Sequence, residues 1–401
     1  MNNVQEKYAD LVLTRGLALK RGQSLFITCA PQDYDFARLV ASRAYAKGAL
    51  QVDFSIRDDQ LLRVRMDIQS EKEFAKIPDY LEARYADLDK NDWAILSIDT
   101  VNHFMEGCEV SKSVARQKAI RAVSKEWHDN LDYDRHAWCI ICVPSPSWAE
   151  EVLGKGATEE ELWQLLMPIL RLDTDDPCAA WDKETVIFDK RCAYLNSLGM
   201  DHLHYTSSTC DLTVGLHTDA MWMGGPGMLP DGRRFYPNFP TAEVFCTPDK
   251  TRCNGYVTST KPVPVYGIMT ENVRFTFKDG KVVTFSAKKG AEAIERLLSV
   301  DEGSSRIGEI ALVDEDSPIA KAKRLFSSIL YDENASCHMA IGTGFPCFRN
   351  LGDADFATKN GNKSSVHVDF MVGSQDLDIE AVTATGKHVM IMEKGHFIQQ
   401  I

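Results

Sequence analysis

The first half of this chain alternates strand patterns with helix patterns, and that alternation restricts the fold more than any other feature. "GQSLFITCA" reads as a buried strand, followed by a helix over "DYDFARLVASRAYAKG". "LQVDFSI" and "DWAILSI" are further strands. A helix over "SKSVARQKAIRAVSKEWHDNL" then leads to the strand "AWCIICVP". Strands separated by helices of about ten residues or more imply βαβ units and a parallel sheet, because the helix carries the chain back to the starting edge. No G-x-G-x-x-G follows the first strand, so a dinucleotide site is not supported.

Residues 157–198 are helical by pattern. Thr158 with Glu161 forms a capping box, and Pro177 suits a first helical turn. Beyond them the pattern changes. "LTVGL", "AEVFC", "GYVTST", "EIALV", "CHMAIG", "VHVDFMVG" and "KHVMIM" are short strands. "FTFKDGKVVTF" is a hairpin turning at Asp279-Gly280, and "GAEAIERLLSV" is a single intervening helix. The expected architecture is an α/β N-terminal domain with a parallel sheet over residues 1–190, then a β-rich α+β C-terminal metal-binding domain over residues 191–401.

Charge narrows the partners. The 401 residues include 58 acidic and 45 basic side chains, a formal net charge of −13. That balance argues against nucleic acid, whose phosphates need a basic footprint, and is compatible with cations. No apolar stretch is long enough to cross a bilayer, so no membrane partner is expected. Eleven scattered cysteines fit a reducing compartment better than a disulfide framework, which predicts a cytoplasmic protein. Cys139 and Cys142 have C-x-x-C spacing, but they sit in a strand, where residues three apart face opposite ways. They are read as structural.

The chemistry-bearing residues interrupt apolar strands of the second half. In "SSVHVDFMVG", Val366, Val368, Phe370 and Val372 alternate with Ser365, His367, Asp369 and Met371. His367 and Asp369 therefore project side by side, the spacing a chelate needs. Glu243 in "PTAEVFC", Glu309 in "IGEIALV" and His338 in "ASCHMAIG" are placed similarly among residues that should be buried. Each alone is adequately explained as an ion pair or a satisfied core histidine. Together, three carboxylates and two imidazoles share a remedy for the several kcal/mol that burying each charge costs, namely one or two divalent cations. Such mixed donors suit zinc, cobalt or manganese. Two ions would have to share ligands, as in two-metal hydrolases with ions about 3.5–4 Å apart. His202 and His204 in "DHLHYTSS" form a second possible chelate.

These segments resemble the M29 metallo-aminopeptidases, the aminopeptidase T/S group. The similarity runs from "YADLVLTRGLALKRGQSLFI" through "NFPTAEVFCTPD", "DEGSSRIGEIALV" and "LYDENASCHMAIG" to "SSVHVDFMVGS". The resemblance implies two divalent cations (Zn, Co, Mn or Mg) held by Glu243, Glu309, His338, His367 and Asp369. It also implies peptide substrates and a homodimer. Glu309 and the position of Phe345 would lie at the reacting atoms, and Glu333 is a candidate for orienting a ligand from behind. Glu333 is equally readable as a helix-end or surface residue. The chain departs from the family twice. Phe345 stands where a Tyr is usual, and Ala242 stands where a Glu is usual. An oxyanion donor or a general base can each be worth about 10²–10³ in rate, so the polar surroundings of the metals are thinner here.

The expected function is a dinuclear, metal-dependent aminopeptidase that releases N-terminal residues by a metal-activated water. Two alternatives stand beside it. One is a mononuclear Fe(II) ring-cleaving dioxygenase-like enzyme, for which H-x-D is also suitable. The other is a metal-binding homologue with altered or lost peptidase activity.

Overall fold

The structure is a computed structural model that describes residues 2–102, 104, 107–352 and 354–398. Contacts divide the chain into two compact units. One comprises Met1–Thr185 with Pro226–Thr241, the other Val186–Gly225 with Ala242–Ile401.

The first unit carries the expected parallel sheet. Its strands run in the order Asn238–Phe239, Trp138–Cys142, Ala94–Asp99, Leu25–Cys29, Val52–Ile56. All four pairings are parallel. The edge strand is supplied by the returning segment, whose Asn238 and Phe239 pair with Ile140 and Ile141. Tyr236 and Phe239 of that segment stack on each other at 5.0 Å and meet Trp181 edge-on at 5.2 and 4.8 Å. Each such aromatic pair adds about 0.5–1.5 kcal/mol beyond the area it buries. The capping box forms as expected, with Thr158 and Glu161 bonding reciprocally, and Pro177 opens the helix Pro177–Ser197. One expectation changes. The helix predicted across residues 111–131 is broken at Ser124 into Val110–Val123 and Lys125–Asp132. The Ser124 hydroxyl donates back to the Ile120 carbonyl at 2.8 Å, a local bond that competes with helix propagation. Cys139 and Cys142 lie within a strand, and none of the eleven cysteines forms a disulfide.

The second unit is β-rich, as expected. An eight-stranded sheet is antiparallel throughout, and its Asp279-Gly280 turn has positive φ at both residues, which matches the right-handed twist of its strands. A five-stranded antiparallel sheet follows the order His367–Met371, His338–Gly342, Ile307–Val313, Glu243–Cys246, Met223–Gly224. One face of this sheet is apolar. Ile310, Leu312, Met339 and Phe370 are buried on it, and Phe370 meets Phe275 of the eight-stranded sheet edge-on at 5.0 Å. The opposite face carries the charged residues. No helix among the described residues is long and apolar enough to cross a membrane.

Candidate metal centre

Register puts all five predicted ligands on one face of the five-stranded sheet. Residues directly opposite in a ladder share a face. Ala340 pairs with both Glu309 and Asp369, His338 pairs with Ala311 and Met371, and Glu243 pairs with Val313. Glu309, Ala311 and Val313 alternate along one strand, so the set is continuous across four strands.

Glu309 reaches that face through a bulge. Ile307 and Glu309 are two residues apart and would ordinarily point the same way. Yet Ile307 pairs with Ile341 and Glu309 with Ala340, which lie on opposite faces. The extra residue is Gly308. It sends Ile307 into the apolar side and turns Glu309 to the charged side, the kind of re-aiming for which bulges recur beside active sites. A second glycine is needed opposite His367. Gly342 has φ of +118°, and a Cβ there would lie 2.0 Å from the Val366 carbonyl oxygen. Only glycine lets the two strands approach so closely.

The ligand atoms form two triads. Glu243, Glu309 and His338 make one; Glu309, His367 and Asp369 make the other; within each, the atoms lie within 4.8 Å of one another. Glu243 Oε2 is 3.0 Å from His338 Nε2. Glu309 Oε2 and Asp369 Oδ1 lie 3.4 and 3.3 Å from His367 Nε2. Glu309 is common to both groups.

The imidazoles are oriented from behind. His338 Nδ1 donates to the carbonyls of Glu333 at 2.9 Å and Ser336 at 3.2 Å, and His367 Nδ1 donates to the Thr343 carbonyl at 2.8 Å. A carbonyl only accepts, so in a neutral ring Nε2 is left as a lone pair facing the carboxylates. Glu243 Oε2 and Asp369 Oδ1 are buried, and the nitrogens beside them, Nε2 of His338 and of His367, are donors only when those rings are protonated. Acceptors facing acceptors in a buried site are stable only with a cation or protons between them. The donor set, two imidazole nitrogens and three carboxylates, therefore fits divalent cations.

The electrostatics agree. Burial drives Glu309 up to about 8, and the charges of Glu243 and Asp369 push in the same direction. Burial would hold both imidazoles neutral, but Glu243 outweighs it at His338, and Asp369 outweighs it at His367, which rises to about 10. At Asp369 burial works upward, yet His367 more than offsets it and the net direction is down.

Glu333 is held close to the same group. Burial raises it far above the ordinary carboxyl range, and Asp369 and Glu243 add to that rise. Asn334 was not foreseen from sequence. Its Oδ1 accepts the Ala242 N–H at 2.7 Å, while its Nδ2 donates to the Leu330 carbonyl at 3.0 Å and to Glu333 Oε1 at 3.3 Å. It ties the strand of Glu243 to the loop of Glu333, and its position inside "DENASCH" was the only signal. Phe345 stands beside the centre, its ring 5.2 Å from that of His367 and 5.7 Å from that of Phe245. Thr247, also unforeseen, clamps it. The hydroxyl accepts the Phe345 N–H at 2.9 Å and lies 2.8 Å from the Phe345 carbonyl oxygen, to which it donates.

The structure does not draw His202 and His204 into a shared chelate. His202 pairs with Asp201 at 2.8 Å and His204 with Asp211 at 2.9 Å.

Comparison with known proteins agrees with the geometry. The sequence profile of a family described as thermophilic metalloprotease (M29) matches residues 1–397. Aminopeptidase 2 of Geobacillus stearothermophilus is 34% identical over 400 residues, covering 98% of this chain and 97% of that protein. Aminopeptidase T of Thermus thermophilus is 34% identical over 403 residues, covering 98% of both. The solved structure of wild-type AmpT from Thermus thermophilus superposes with a TM-score of 0.90 at 33% identity, covering 99% of this chain and 100% of that one.

Proposed function

The chain belongs to the M29 family of metallopeptidases and is a metallo-aminopeptidase, and from that premise we propose that it works with two divalent cations, for both of which Glu309 would be a ligand. The single observation that carries the number two is the sharing of Glu309 between two triads, each with its own histidine and its own second carboxylate. Glu243 and His338 would hold one ion; His367 and Asp369 would hold the other. The donors suit zinc, cobalt or manganese, with magnesium less well matched to two imidazoles.

When bound, such ions supply Lewis acidity, which activates water near neutral pH and polarises a peptide carbonyl. The protein's own part is positioning. The carbonyls of Thr343, Glu333 and Ser336 hold the imidazoles in the binding tautomer. Glu333, half-buried and in the field of Asp369 and Glu243, would accept the proton of the attacking water once ionised, in the role that Ala242 cannot fill. The Lewis acidity that the ions would supply also suits the neutral α-amino group of a peptide, which favours cleavage at the N-terminal residue. Phe345 offers an apolar wall and no hydroxyl, so the carbonyl oxygen gains nothing there beyond the metals.

The substrates are peptides. Eleven cysteines without a disulfide favour a cytoplasmic setting, and the homodimer is inferred from the family. A single-iron oxygenase is disfavoured by a metallopeptidase match over residues 1–397. A homologue that binds metal without peptidase activity is disfavoured by relatives named aminopeptidases that match 98% of the chain.

The test is elemental analysis of the purified protein, with hydrolysis of aminoacyl aryl amides after chelation and re-addition of zinc, cobalt or manganese. Close to two ions per chain with metal-restored release of the aryl amine is expected. One iron per chain would overturn the reading in favour of an oxygenase. Two ions without release would overturn the peptidase reaction.

A further inference from the structure

A pocket of about 310 Å³ opens in the second unit, at one end of the ligand-bearing sheet. Its lining includes Lys261, Lys323, Arg324, Glu315, Ser336 and Gly373. That size is within the range of small-molecule sites. Three features give it a character.

The first is charge. Lys261, Lys323 and Arg324 have no ion-pair or hydrogen-bond partner among the described side chains, and Glu315 offsets only one of the three cations. Lys323 and Arg324 are exposed, whereas Lys261 is partly buried. Burial lowers the proton affinity of Lys261, and the fields of Asp332 and Glu315 only partly oppose that. A partly buried ammonium without a contact partner is costly, and an incoming anion relieves it.

The second is position. Ala335 and Ser336 form part of the wall, and they lie in sequence between Glu333 and His338. Ser336 is extended, with φ −164° and ψ 150°, so its side chain shares a side with that of His338, two residues on. Two residues of extended chain span about 7 Å, which brings this wall within one dipeptide length of the metal ligand.

The third is sign. Around the ligand cluster the protein's own charge is carried by carboxylates, whereas three cations and one carboxylate line the pocket. A zwitterionic peptide therefore has its two ends directed to different places.

Building on the aminopeptidase reading, we propose that this pocket binds the C-terminal carboxylate of short peptides whose N-terminus lies at the metal centre. Lys323 and Arg324 supply the charged donors at its mouth, with Lys261 deeper in. The pocket then acts as a ruler that favours free dipeptides and tripeptides over longer or C-terminally blocked chains.

The experiment compares a leucyl dipeptide and tripeptide as free acids with the same peptides carrying a C-terminal amide. The metal-loaded wild type is set against the double variant Lys323→Gln/Arg324→Gln and the single variant Lys261→Gln. A charge-assisted contact corresponds to a preference of roughly tenfold or more in kcat/KM for the acid. That preference is expected to fall toward one in the variants, through a rise in KM for the acid. Equal use of acid and amide by a wild type that cleaves both overturns the pocket assignment and leaves the aminopeptidase reading standing. So does a preference that the variants retain. Inhibition by inorganic phosphate without any preference for the acid would identify a free-anion site, and would likewise overturn the carboxylate assignment. Failure to cleave either peptide overturns the aminopeptidase reading, and the pocket assignment with it.

Discussion

Glu309 Oε2 stands 3.4 Å from His367 Nε2, while the same carboxylate also belongs to the group formed by Glu243 and His338. On the two-ion proposal both shells would depend on this one side chain and the other four residues would serve one shell each, so the five positions would not be equivalent, and substitution separates them.

Replacing Glu309 with Gln is expected to empty the centre, with metal content falling toward zero. His367→Ala is expected to lose one ion and keep close to one in the Glu243–His338 half. Both should lower hydrolysis by at least roughly 10²–10³, since removal of mere supporting partners of metal ligands already costs about 10–100-fold. Elemental analysis of the two variants side by side makes the distinction. Equal metal loss in both would show that Glu309 is not shared.

Metal affinity should rise with pH. In the metal-free centre burial alone would strip the proton from His367, but Asp369 and Glu309 outweigh it and hold the ring up to about 10; His338 is raised in the same way by Glu243. These protons must leave before Nε2 can bind a metal, and Glu309, raised to about 8 chiefly by burial, must lose its own. Between about pH 6 and about pH 8.5, zinc affinity is expected to increase by up to roughly tenfold per pH unit for each proton displaced. Titration against a competing chelator at three pH values measures it. A flat profile would mean that the ligands are already deprotonated without metal.

Phe345→Tyr should raise turnover. The ring already sits 5.2 Å from His367 with its backbone held by Thr247. A phenol there would add the donor that the resemblance to the family places beside the reacting carbonyl. An increase in kcat of about 10-fold or more, with KM little changed, is expected on an aminoacyl aryl amide. An unchanged kcat would assign the oxyanion entirely to other groups.

Away from the centre, Asp134 makes the first unit sensitive to pH. Burial raises its carboxyl to about 7; Asp132 pushes the same way, and the Met228 N–H opposes both. The folded state therefore binds a proton that the unfolded chain, with an ordinary Asp, has lost. Stability should fall as pH rises from about 4 to about 7 and level off above that, by an amount on the order of 3 kcal/mol. Asp134→Asn should remove that slope and stabilise the unit at pH 8. Urea midpoints of the two proteins at pH 5 and pH 8 test the sign.

The sequence by itself determined the local structure and the identity of the chemical groups. Alternation of strands with helices announced the parallel sheet, because periodicity depends only on near neighbours. The acids and histidines inside apolar strands announced a cation site, because an unpaired buried charge has no other inexpensive state. What tertiary structure decided was which groups meet. Glu243 and Asp369 are separated by more than a hundred residues, and ladder register alone places them with Ala340 and Val313 on one face. The Gly308 bulge that turns Glu309 inward leaves no local trace, since an i, i+2 pattern would put Ile307 and Glu309 together. The edge strand Asn238–Phe239 completes the parallel sheet from a distant segment in the same way. The cationic pocket likewise gathers Lys261, Arg324 and Gly373 from separate stretches of chain. Register, bulges and pocket walls are set by pairing between residues far apart in the chain, and the energies that select them exist only once the strands are side by side.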